Sequence, residues 1–194
     1  RGVEPVGGDI HEAAEPTVIV ECTPLPLKSR AHYFRDGMEV VVPSLRRTGP
    51  DTLTPRAKTH NYMNLVVAHE EVRRQNPNAW AILLDVNGNL CEGIGSNIFL
   101  VSEGVVYTPH DRYVLCGVSR GTAIDLAEQA GLKVERADLD LYDAYTADEA
   151  FISSTSFCIV PINSINGIEV CNGTIPGPIT KQLTDAYIDY VDYD

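Results

Sequence analysis

Two residues in the first half of the chain could do covalent and electrostatic chemistry together. Lys58 lies in R-A-K-T-H-N-Y, residues 56–62, and Glu92 lies in C-E-G-I-G-S-N-I-F-L-V, residues 91–101. A lysine amine can condense with an aldehyde and can later carry a proton. A carboxylate can hold a proton on a ring nitrogen and so keep that ring electron-poor. Tyr62, close behind Lys58, adds a hydroxyl that can donate to an ionised oxygen. Residue type alone does not compel this chemistry. An isolated lysine is ordinarily a solvated charge, a carboxylate among glycines ordinarily a turn residue, and a tyrosine at helical spacing ordinarily core.

The elements that must position these groups follow from periodicity and punctuation. Tyr62, Leu65, Val66, His69 and Val72 recur at helical spacing, which predicts a helix over 59–75 with Lys58 at its mouth. Asn76 and Pro77 stop it. Residues 79–85, A-W-A-I-L-L-D, read as a strand, Asn87 and Gly88 as a hairpin turn, and 90–101 as the returning strand with Glu92 near its start. Upstream, T-V-I-V-E-C-T at 17–23 and G-M-E-V-V-V-P at 37–43 read as strands, and 3–16 as a loop.

A second helix is expected after L-C-G-V-S-R, residues 115–120. Ser119 fits its N-cap, Ala123, Leu126, Ala127 and Ala130 share a face, and Gly131 ends it. The free N–H groups of such a helix start also bind phosphate. Further on, a strand starts at 133, a short helix spans 142–148 and a strand spans 149–152, followed by an S-S-T-S turn at 153–156. A strand at 157–162, an Asn166-Gly167 turn and a helix at 180–191, with Leu183, Ala186, Tyr187 and Tyr190 inward, complete the chain.

Composition narrows the function classes. With 194 residues, 44% apolar and 22% charged, the chain can bury one sizeable core. A net charge of -12 argues against a nucleic-acid or anionic-membrane surface, which needs lysine and arginine in excess. No apolar run reaches the roughly 20 residues that span a bilayer. The five cysteines form no C-x-x-C pair and read as reduced thiols in a cytoplasmic protein.

The words K-T-H-N-Y, C-E-G-I-G-S-N-I-F-L-V, L-C-G-V-S-R and S-S-T-S, in that order, resemble the signature of the class IV, fold type IV aminotransferases. That family includes branched-chain and D-amino-acid aminotransferases, (R)-selective amine transaminases and aminodeoxychorismate lyase. The likeness runs from about Thr17 to the C-terminus. It implies an α+β fold over 17–194, the large cofactor-binding domain with a β-barrel-like sheet and flanking helices, after an interdomain linker at 1–16. Arg1-Gly2 resembles the pair that closes the family's first strand-rich part, so the small N-terminal domain is expected to be missing, cleaved or carried by a separate chain.

The resemblance further implies pyridoxal 5'-phosphate as cofactor. Lys58 would hold its aldehyde carbon and then act as base and acid. Glu92 would face the ring nitrogen, Tyr62 the phenolic oxygen, and Leu115 the ring itself. Val118, Ser119, Ser154 and Thr155 would hold the phosphate, and Thr155 and Ser156 would face the substrate. The implied partners are an amino donor, a branched-chain-like L-amino acid or an (R)-amine, with a 2-keto acid, in a homodimer or larger assembly. The family's D-amino-acid enzymes trap the substrate carboxylate with an arginine and a histidine. Here V-E-P-V-G-G-D-I-H, residues 3–11, has His11 but no arginine, which counts against that branch. The lyase branch shares Lys58 and Glu92 and stays open, as does a non-catalytic cofactor-binding fragment.

Overall fold

The computed structural model of this chain describes residues 18–191. Its strands are β1 (Met38–Val41), β2 (Trp80–Leu84), β3 (Leu90–Gly93), β4 (Ser96–Ser102), β5 (Val105–Pro109), β6 (Lys133–Ala137), β7 (Glu149–Ser154), β8 (Cys158–Ile165) and β9 (Ile168–Glu169). Its helices are α1 (Leu27–Asp36), α2 (Met63–Gln75), α3 (Val118–Gln129), α4 (Leu141–Thr146) and α5 (Pro178–Tyr190).

The strands form one mixed sheet in the order β3-β2-β1-β8-β7-β4-β5-β6, with β9 on β8. Because β3 also pairs with β4, the strands from β3 round to β4 close on themselves. Closure satisfies backbone groups that an open sheet would leave at its edges. The fold is therefore the α+β, barrel-like arrangement that the resemblance implied.

Alternation along β4 explains how both faces are covered. Ile98 and Leu100 face a cluster with Met38, Val40, Ile82, Ile152 and Val160. Phe99 and Val101 face the opposite way, onto Ala123 and Ala127 of α3 and Leu183 and Tyr187 of α5. A period of two produces this split, and it is why the strand is apolar at every central position. Phe99 and Phe151 are register partners on β4 and β7, and their rings stack 4.7 Å apart. Helix α2 lays Leu65, Ala68 and Val72 against Leu83, Ala79 and Ala81 of the β2 segment.

Several local expectations need correction. Residues 18–23 of the expected 17–23 strand are irregular, and Val18, Ile19 and Val20 are exposed, so β-branched residues alone did not make a strand without a neighbour to pair with. Helix α1 was not expected. It carries no buried residue, only Tyr33 and Phe34 packed at the margin of the core, and so has little periodicity to read. The single strand expected over 90–101 is two strands, because Gly95 at φ 73 turns the chain between β3 and β4. Ser153 and Ser154 belong to β7 rather than to a turn. Ala130 and Tyr190 are exposed rather than inward. The linker expected at 1–16 lies outside the described residues.

His69 on α2 meets the Trp80 ring edge-on at 4.9 Å, and its Nδ1 is buried without a hydrogen-bond partner. Burial, then the Arg73 charge one turn on, lowers its pKa from the ordinary histidine value. A lowered histidine pKa means that the unfolded chain binds more protons, so stability rises with pH through the window just below 6.5 and is lost as pH falls across it. His69→Gln is expected to flatten this part of a curve of melting temperature against pH. An unchanged slope in the variant would assign the dependence elsewhere.

Candidate active site

The expected site residues gather where β3 turns into β4 and where β7 ends. Lys58, Tyr62, Glu92 and Leu115 line one cleft. Lys58, Leu115, Val118, Ser119, Ser154 and Thr155 line a second cleft that shares Lys58, Leu115 and Asn97 with the first. Ser156 lines neither, but its hydroxyl lies 3.4 Å from that of Ser154. The two clefts thus share a wall, with Glu92 on one side and the start of α3 on the other.

Glu92 is the best-held of these groups. It is 4% exposed, and each carboxylate oxygen has a partner. Arg47 Nε donates to Oε1 at 2.9 Å, and the Leu115 N–H donates to Oε2 at 2.8 Å. Burial pushes the Glu92 pKa above the usual carboxylate value, while the Leu115 N–H and the Arg47 charge pull the other way. Arg47 is itself buried, with Nη1 donating to Thr48 Oγ1 at 2.7 Å. From sequence alone Arg47, like Arg46 and Arg56, could help an anionic substrate or cofactor but reads first as a solvated charge; the fold instead buries it on Glu92. The place of Arg47 is set by a backbone bond from its N–H to the Leu84 carbonyl, which no local pattern announces.

Lys58 lies in the exposed turn ahead of α2 rather than in its first turn, since α2 begins at Met63 with Tyr62 as its N-cap. Tyr62 is half-buried beside Leu65.

At the other wall, α3 starts two residues earlier than Ser119 as N-cap would set it. Gly117, not Ser119, is the N-cap, and no side chain caps this end. Ser119 is buried inside the first turn, and Val118 is exposed at the first helical position. An uncapped start leaves N–H groups directed at whatever anion approaches. Gly117 has to be small, because a Cβ there would stand 2.6 Å from Asn97 Oδ1. Ser154 Oγ accepts the Phe157 N–H at 3.1 Å, which fixes the chain leaving β7. A buried carboxyl group held at both oxygens, an exposed amine and an uncapped helix start thus line two adjoining clefts, a set suited to a flat heterocycle carrying a phosphate.

Among the described residues, no group of histidine, cysteine and carboxylate side chains could hold a metal ion, and no helix is long and apolar enough to cross a membrane.

The amino-transferase class IV family model matches residues 1–165. The branched-chain-amino-acid aminotransferase of Escherichia coli K12 is 36% identical over 172 residues, covering 88% of this chain and 55% of that protein. That of Pseudomonas aeruginosa is 34% identical over 159 residues, covering 81% of this chain and 51% of that protein. Among solved structures, the branched-chain amino acid aminotransferase from Thermobaculum terrenum in its PLP-form has a TM-score of 0.74 and 38% identity, over 79% of this chain and 50% of that one. The chain spans about half the length of these relatives.

Proposed function

Because this chain belongs to the class IV amino-transferase family, we propose that it forms the cofactor-binding part of an enzyme that uses pyridoxal 5'-phosphate to move an amino group from a branched-chain-like L-amino acid to a 2-keto acid. The observation that carries this reading is the shared groove: Lys58 on its exposed rim, Glu92 buried and doubly held at one wall, and the uncapped α3 at the other. The PLP-form of a relative supports the cofactor.

The bound cofactor supplies an aldehyde that takes up amino groups and a protonated ring that withdraws electrons from the carbon being deprotonated. The chain's residues do the rest. Lys58 Nζ would hold the aldehyde carbon of the bound cofactor. As a free amine, Lys58 would be the group that takes up and returns the proton moved during amino transfer. Glu92 would accept the ring N–H and keep that nitrogen protonated. The Tyr62 hydroxyl would donate to the phenolic oxygen, and Leu115 would cover the ring. The N–H groups of Val118 and Ser119, with the hydroxyls of Ser119, Ser154 and Thr155, would bind the phosphate. The backbone at Thr155 and Ser156 would face the substrate. We place this chain in a homodimer or larger assembly.

A half-reaction screen tests this. After loading with pyridoxal 5'-phosphate, L-leucine, D-alanine and (R)-1-phenylethylamine are added separately. L-leucine is expected to bleach the visible cofactor band fastest. Borohydride reduction followed by digestion is expected to leave the cofactor's mass on the peptide containing Lys58. Absence of that adduct, or bleaching by D-alanine alone, would reject the assignment or its substrate class respectively.

A further inference from the structure

We propose that Asn97 is a positioning residue that, together with Glu92, grips the Leu115 peptide from both sides and so locks the carboxylate wall of the site to its anion-binding wall. The inference rests on the function proposed above and goes further, because it assigns a role to a residue that neither the expected chemistry nor the expected phosphate contacts use.

Glu92 and Asn97 are register partners across the β3–β4 hairpin. Directly opposed residues on such a pair project from the same face, so the two side chains reach the same neighbour. That neighbour is Leu115. Its N–H donates to Glu92 Oε2 at 2.8 Å, and its carbonyl accepts from Asn97 Nδ2 at 3.0 Å. The same carbonyl also accepts the Gly117 N–H at 2.8 Å, which draws the chain into a tight turn. The turn delivers Gly117 as the N-cap of α3, whose first helical bond runs from the Gly121 N–H to the Gly117 carbonyl at 3.0 Å.

Two more observations make Asn97 the fixed point of this chain of contacts. It is 6% exposed and pairs on its other side with Ser153 of β7, so strands hold it from both edges. Its Oδ1 occupies the space that a side chain at Gly117 would need, 2.6 Å from the Cβ position. The amide thus fixes Leu115 by donating to it and fixes Gly117 by contact. A shift of Asn97 would release the start of α3 while leaving Lys58 untouched.

The test compares the wild-type chain with Asn97→Ala and Asn97→Asp. The aspartate keeps the shape but sets an oxygen against the Leu115 carbonyl. Binding of inorganic phosphate and of pyridoxal 5'-phosphate is measured by calorimetry, alongside pyridoxal, which lacks the phosphate. Both variants are expected to bind the two phosphate ligands about tenfold more weakly, the loss expected for one well-made hydrogen bond, with pyridoxal affected much less. Gly117→Ala approaches the same contact from the other side. It is expected to reproduce the phosphate-specific loss, and it serves if the Asn97 variants do not fold. Equal losses for pyridoxal and its phosphate, or none, would overturn the positioning role. Failure of the wild-type chain to bind pyridoxal 5'-phosphate at all would instead count against the proposed function.

Discussion

Arg47→Met is expected to cost about 3–5 kcal/mol of folding stability, the loss typical of removing one member of a buried ion pair. The pair qualifies because both side chains are less than a tenth exposed and meet at 2.9 Å. Solvent cannot take over the role of the guanidinium, so Glu92 would keep the Leu115 N–H as its one hydrogen-bond donor, with the Arg120 charge a smaller support. The cost has a pH signature with a definite sign. Burial already raises the Glu92 pKa, so the folded chain holds a proton there more tightly than the unfolded chain does. Stability contributed by this group is therefore full below the ordinary carboxylate value and falls as pH rises through the raised one. Without Arg47 that window widens upward. The variant should recover much of its lost stability in acid, relative to wild type at the same pH. Adding Glu92→Gln should relieve part of the loss at neutral pH, which a double-mutant cycle by urea denaturation measures. A variant equally destabilised at every pH would mean that packing, not charge, is what Arg47 supplies.

The same pair shows what could be read from sequence and what could not. The elements that carry the site were legible where burial is one-sided and long: α2 by its spacing, β2 by its apolar run, and the Asn87-Gly88 turn by its dipeptide. Lys58 and Glu92 stood out only because they lie in ordered words shared with a family. Asn97 has no role in the sequence reading, and Arg47 reads only as a solvated or anion-facing charge, for one reason. Each acts through a partner distant in sequence, Arg47 through Glu92 and Asn97 through Leu115. Such pairings are made by closure of the sheet, which a local window does not contain. The irregular course of 18–23 is the converse case, since local composition favours a strand there and the segment pairs with no strand among the described residues.

Lys58→Ala should separate chemistry from architecture. Lys58 is exposed, lies in a turn and packs against no core cluster, so its truncation should change stability by no more than about 0.5 kcal/mol. Its amine is nonetheless the group assigned both to hold the cofactor carbon and to move the proton. Loss of a general base alone slows a reaction by about 10²–10⁴-fold, and loss of the covalent hold adds to that. Amino transfer should fall below detection, and borohydride should fix no cofactor mass to the chain. Phosphate binding at α3 should persist, because Lys58 is not among the groups that shape that helix start. The Arg47 and Lys58 variants therefore make opposed profiles: one loses stability through a buried charge, the other loses turnover with its fold intact. A Lys58→Ala chain that still formed a reducible adduct would move the reacting amine to another residue, and the groove between Glu92 and α3 would then need a different chemistry.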